Sequence, residues 1–141
     1  MPSPKQKLIV ELAPPAPKSQ LGNLSDLFAR DIVVLGHTCF GDLFIQDCDN
    51  LQLAIAYLSP FEVVPIDAKS IEDVYKLLAE NPDANNELLR PADVDLLSSR
   101  LGVLGNGDIY IPVPLPMLGG DGSLESYEKG GLWAHIDLWN N

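Results

Sequence analysis

Between Asp31 and Ile66 the apolar positions come in four short runs separated by polar or glycine-containing breaks. Ile32, Val33 and Val34 form the first run and Leu43, Phe44 and Ile45 the second. In the third, Leu51, Leu53, Ile55 and Tyr57 alternate with Gln52, Ala54 and Ala56, and the fourth, from Phe61, is β-branched until Pro65 interrupts it. Runs of roughly four to eight residues are too short for globular helices, and these are rich in side chains that suit a pleated surface, so the stretch predicts an antiparallel meander. Asp47, Cys48, Asp49 and Asn50 supply a turn, because short carbonyl side chains bond back to the local backbone. Gly36 and Gly41 bracket residues 37–40 and predict a tight bend or a close backbone approach.

After Pro65 the period changes to about 3.6. Ile71, Val74, Tyr75, Leu77 and Leu78 fall on one helical stripe, Ser70 can cap it, and Glu72 and Asp73 sit in the first turn, where unpaired amides favour negative charge. Asn81 and Pro82 stop this helix, Leu88 and Leu89 belong to a short turn, and Pro91 opens a helix to Leu101 that Gly102 ends. A strand is expected over 108–113 after the Asn106-Gly107 turn; prolines 112, 114 and 116 restrict this part of the chain to an edge or an extended covering loop. Leu124, Tyr127, Leu132, Ile136 and Trp139 fit a last helix from Ser123 to Trp139, bent or divided at Gly130 and Gly131. At the front, five prolines surround Leu8, Ile9, Val10 and Leu12 and predict a loose arm or one edge strand; Asn23–Arg30 suits one or two helical turns, with Leu24, Leu27 and Phe28 on one side. The expected organisation is a Pro-rich arm with a short helical turn over residues 1–30, then one α+β domain over residues 31–141. Its antiparallel sheet has roughly four to six strands with the helices grouped on one side. The expected core comprises Phe40, Leu43, Ile45, Leu53, Ile55, Leu77, Leu97 and Leu101.

Charge narrows the function. The chain has 141 residues, with 20 acidic and 9 basic side chains for a formal net charge of −11. Residues 62–95 hold nine acidic and three basic groups, a local net of −6. Such a surface repels phosphates, which disfavours direct nucleic-acid binding, and steers a basic partner. No run of about 18 apolar residues is present to span a bilayer, and no apolar segment of signal-peptide type follows Lys5 and Lys7. Cys39 and Cys48 are expected as single buried thiols. His37, Cys39 and Cys48 fall short of a closed metal site, since the other histidine, His135, is far along the chain; Leu51 and a missing glycine rule out a calcium loop at Asp47 and Asp49. No nucleophile motif or Gly-rich phosphate loop occurs, so no catalytic residue, metal or cofactor is expected.

Gly107-Asp108-Ile109-Tyr110, the segment Pro114-Leu115-Pro116-Met117-Leu118-Gly119-Gly120, and the later Leu124, His135 and Leu138 resemble the carboxy-terminal domain of the immunity proteins that protect type VI secreting bacteria against their own DNase effector. Phe40-Gly41-Asp42-Leu43-Phe44 is similar to a strand entry of the same domain, so the resemblance spans roughly residues 31–139. Pro112, Pro116 and the Gly130-Gly131 pair depart from its pattern, and members of that family often carry a further GAD-like module ahead of this domain. The resemblance implies a cytoplasmic, non-enzymatic protein that binds and neutralises a toxin carrying a basic domain. A non-enzymatic binding or regulatory module in a phage or mobile-element setting is the alternative. Asp83, Glu87, Asp93 and Asp95, in or beside short connections, are the candidate partner contacts, together with Asp121 and Trp133 near the final element. The plain counterpart for the charges is a solvated helix face, and for Trp133 a partly covered core residue.

Overall fold

The computed structural model describes residues 6–58, 61–105, 107–113, 119–120 and 123–139. Its main sheet has five antiparallel strands in the order of the chain: β1 (Ile9–Pro17), β2 (Ile32–Thr38), β3 (Leu43–Asp47), β4 (Leu53–Leu58) and β5 (Phe61–Pro65). The four expected meander strands are therefore present, and the Pro-rich front of the chain adds an edge strand to them. Leu43, Phe44 and Ile45 pair with Ala56, Ile55 and Ala54 across the β3–β4 ladder. Proline is confined to the two edges. The β1–β2 ladder shifts register between Glu11 and Ala16, the stretch that contains Pro14 and Pro15. On the opposite edge Ile66 N donates to Leu53 O (3.1 Å), so by the two-residue period the amide of residue 65 would face away from β4, and proline there costs no ladder bond.

Successive strand residues point to opposite faces, and both faces are covered. On one, Ile9, Phe44, Leu53 and Ile55 pack against Ile71, Val74, Leu78, Leu88 and Leu89 from α1 (Ile71–Glu80) and α2 (Pro82–Leu89). On the other, Ile32, Val34, Leu43, Ile45 and Ala56 meet Leu21 and Leu24 of a kinked 3₁₀ segment (Lys18–Leu27) and Leu132 and Ile136 of the last helix. The helices are thus not all grouped on one side: α1 and α2 share a face as expected, whereas the final helix fills the opposite one. Consecutive buried residues in β3 demand this, since a bare second face would leave Leu43 and Ile45 in water.

The helix boundaries follow the local chemistry. Ser70 caps α1 by accepting from Asp73 N (3.1 Å), and prolines open α2 and α3 (Pro91–Leu101). Between them Arg90 takes a left-handed conformation (φ 49°), and Gly102 ends α3 at φ 88°. Tyr75, placed on the α1 stripe, is 42% exposed, and Leu27, placed with Leu24 and Phe28, is 59% exposed. Of the expected core, Leu43, Ile45, Leu53, Ile55 and Leu97 are buried, while Phe40, Leu77 and Leu101 are half-buried.

The largest departure lies at residues 123–139. Instead of one bent helix there is a 3₁₀ turn (Leu124–Ser126), a strand β7 (Tyr127–Gly131), and a helix α4 (Leu132–Trp139). β7 pairs with β6 (Asp108–Pro112), and Tyr110 N donates to Cys39 O (2.8 Å), which joins this small sheet to the β2–β3 bend. The glycine pair sits in this ladder, Gly130 opposite Ile109 and Gly131 opposite Asp108, and a Cβ at Gly130 would lie 2.7 Å from the tip of the Ile111 side chain. The expected covering loop through Pro114 and Pro116 lies outside the described residues.

The closest approach within the main sheet generates a stability prediction. A Cβ at Gly36 would lie 2.5 Å from the backbone oxygen of Val10, whereas one at Gly131 meets nothing nearer than 4.0 Å. Gly36→Ala should lower the denaturation midpoint by an amount equivalent to about 1–3 kcal/mol, and Gly131→Ala should cost less than about 1 kcal/mol. Equal midpoints for Gly36→Ala and the parent would contradict the β1–β2 register.

Candidate functional site

Two features stand out at the ends of the helical layer. The first is a knot around Arg90. Its guanidinium lies 4.0 Å from the Phe40 ring centroid and 5.7 Å from that of Tyr127. Arg90 Nε donates to Asp93 Oδ2 (2.9 Å), and its Nη1 donates to the Tyr127 hydroxyl (3.3 Å). Phe40 meets Tyr127 edge-on with centroids 6.0 Å apart, and Tyr110 donates from its hydroxyl to Gly102 O (2.8 Å). A planar cation stacked on aromatic faces and paired with a carboxylate fixes orientation as well as charge. Arg90 therefore ties the α2–α3 junction to the β2–β3 bend and to β7.

The bend itself is built on Thr38, whose Oγ1 accepts from Phe40 N and Asp42 N (3.2 Å each). Burial pushes the neighbouring Asp42 carboxyl up to about 6, against the opposing pulls of the Thr38 hydroxyl and Arg90. Nothing here is an activated nucleophile. Burial pushes the Cys39 thiol up to about 12, and that thiol donates to Lys7 O (3.2 Å). Burial also lowers His37, a direction that its bond with Thr38 O opposes. Both thiols are free as expected, but only Cys39 is buried; Cys48, in the turn after β3, is exposed rather than buried. Among the described residues no group of three or more His, Cys, Asp or Glu side chains is placed to hold a metal ion.

The second feature is an open groove of about 550 Å³ between the β4–β5 edge and α1–α2. Ile55, Tyr57, Val64 and Ile66 form its floor on the sheet, and Leu77, Leu78, Ala84 and Leu88 its helical wall. The helices cover β3 and the inner part of β4 but stop short of the edge, which leaves Val64 37% exposed. Asp67 and Glu87 line the groove, and among the described residues no lysine or arginine does. The Tyr57 hydroxyl is raised by partial burial and, after it, by the negative charges of Asp42, Glu62 and Glu87. A second groove of about 410 Å³ flanks the same edge strand on the other face, between Leu27, Phe28 and Val63; there the Asp47 carboxylate is paired with Arg30 at 2.8 Å.

The sequence-derived contacts separate on this frame. Asp83 and Glu87 are exposed on α2, and Asp95 is exposed on α3. Asp93 is half-buried with its carboxylate held by Arg90. Trp133 is half-buried and packs against the core on the opposite face of the sheet from α2. Asp121 lies outside the described residues. Arg90, Tyr57, Glu62 and Asp67 went unread in the sequence, although Arg90 is the one basic residue from 77 to 99 and stands directly before Pro91.

The fold and surface define a small α+β protein with an acidic helical layer. The family model described as "T6SS immunity protein Tdi1, C-terminal" matches residues 68–141, just over half of the chain, and the chain belongs to that family. The segments around Gly107 and His135 that carry the resemblance fall within this match, whereas Phe40–Phe44 lies ahead of it. No curated protein matches the chain. Among solved structures, Atu4351 from Agrobacterium tumefaciens is similar, with a TM-score of 0.56 and 20% identity. The likeness covers 77% of this chain and 53% of Atu4351, so the chain spans about half the length of that protein; it is a likeness of fold. No helix among the described residues is long and apolar enough to cross a membrane.

Asp42 gives this region a pH signature. Its folded value of about 6 lies above the ordinary 3.8, so the fold favours the protonated carboxyl. That contribution is complete below the unfolded value and is lost as pH rises through the folded one. Asp42→Asn, neutral at every pH, should therefore be more stable than the parent at pH 7.5, by on the order of 1–2 kcal/mol for a half-buried group. The difference should vanish towards pH 4, as measured by urea unfolding. A pH-independent difference would contradict the assignment.

Proposed function

We propose that the chain neutralises a cognate type VI effector in the cytoplasm of the producing cell, by stoichiometric binding rather than by catalysis. The observation that carries this reading is the unspent charge of the helical layer in a member of an immunity family. Of the nine acidic residues between 62 and 95, Glu62, Asp67, Glu72, Glu80, Asp83, Glu87 and Asp95 are exposed. Among the described residues, ion pairs engage only Glu72, with Lys76, and Asp93, with Arg90. Carboxylates presented in this way steer a basic surface and occupy the positions that phosphates would take on it. An effector that acts on nucleic acid has such a surface, and blocking it removes the activity without any chemistry on the inhibitor's side.

Co-expression with the effector encoded beside the gene, and titration calorimetry with a catalytically inactive form of that effector, test the proposal. The expected result is survival of the co-expressing cells and a 1:1 complex that weakens between about 50 and 300 mM salt. The Asp83→Asn/Glu87→Gln/Asp95→Asn triple variant should bind several-fold more weakly at low salt and respond less to salt. Absence of both binding and protection would refute the reading.

A further inference from the structure

We infer that the groove between the β4–β5 edge and α1–α2 receives an apolar side chain of the effector, with lysine or arginine on either side of that anchor pairing with Asp67 and Glu87. This rests on the stoichiometric-binding reading above and locates its centre. About 550 Å³ is room for one or two large side chains, within the roughly 300–1,000 Å³ of built binding clefts. Exposed carboxylates supply steering and register but little binding energy, whereas a desolvated anchor in a pocket supplies most of it. Here the two occur together: a floor of Ile55, Val64 and Ile66 under carboxylates that, among the described residues, no lining cation neutralises.

Charge chooses the occupant. A second copy of the chain would bring Glu62, Asp67 and Glu87 against their own counterparts, in a molecule that already carries a net charge of −11. Nucleic acid would meet the same field. A segment with a hydrophobic residue between basic ones satisfies floor and rim at once. The groove on the other face of β5 lacks this combination, because Arg30 already compensates Asp47.

The test uses the full chain and the inactive toxin domain encoded beside it. Ala84 lines the groove from an exposed position on α2, so Ala84→Trp should fill the groove without disturbing the core. The expected results are at least a tenfold loss of affinity for Ala84→Trp at an unchanged melting temperature, a comparable loss for Asp67→Lys/Glu87→Lys, and a change of less than twofold for Leu51→Ser, which lies outside the groove. Hydrogen exchange of the unaltered chain should show protection of residues 62–67 and 81–88 in the complex. Unchanged affinity for Ala84→Trp, with no protection there, would overturn the groove while leaving the immunity reading intact. If the unaltered chain fails to bind, both fall.

Discussion

Leu43, Phe44 and Ile45 are consecutive and all buried, which a strand allows only when both faces of its sheet are covered. Phe44 points to the α1–α2 layer; Leu43 and Ile45 point to the 3₁₀ segment and α4. Most of the architecture follows from dividing one strand between two cores. The chain must place helical cover on each side, and it does so with elements from opposite ends of the sequence. The two helices that directly follow the meander, α1 and α2, take the first face. The segment before β2 and the last helix share the second. The α1–α2 layer ends before the sheet does, and the uncovered margin along β4 and β5 is the groove.

Arg90 pins one end of that layer. Its left-handed backbone separates α2 from α3, and its stacking on Phe40 anchors the junction to the β2–β3 bend. α2 is thereby held with Leu88 and Leu89 inward and Asp83 and Glu87 outward. The same guanidinium takes up Asp93, which separates a structural carboxylate from its exposed neighbours. A cation used in this way neutralises one acidic residue and leaves Asp83, Glu87 and Asp95 exposed.

Strand and helix identity was legible wherever a local pattern had a single solution. The meander strands, the Ser70 cap, the proline opening α3 and the Gly102 stop all appear in the fold, whereas Pro82, taken in the sequence only as the end of α1, also opens an 8-residue helix where a short turn at Leu88 and Leu89 was expected. Residues 123–139 were not legible because Leu124, Tyr127, Leu132 and Ile136 satisfy a helical stripe, while the β6–β7 ladder that holds Tyr127–Gly131 as a strand joins positions far apart in sequence. The side taken by α4 was hidden for a similar reason. The surface followed the same division: charge density marked Asp83, Glu87 and Asp95 as exposed, but the Arg90–Asp93 pair and the seating of Trp133 against the far core depend on tertiary packing. Tyr57 and Asp67 come together with Glu87 only after β4, β5 and α2 have assembled.

Site-specific photo-crosslinking in living cells probes the central claim most directly, because it reports the interface without altering charge or cavity. A benzophenone side chain at position 86, exposed on α2 beside the groove but outside its lining, and another at position 27, on the opposite face, would be irradiated in cells that also make the inactive effector. An adduct to the effector is expected from position 86 and none from position 27. Capture from position 27 alone would place the interface on the other face of the sheet and contradict the account.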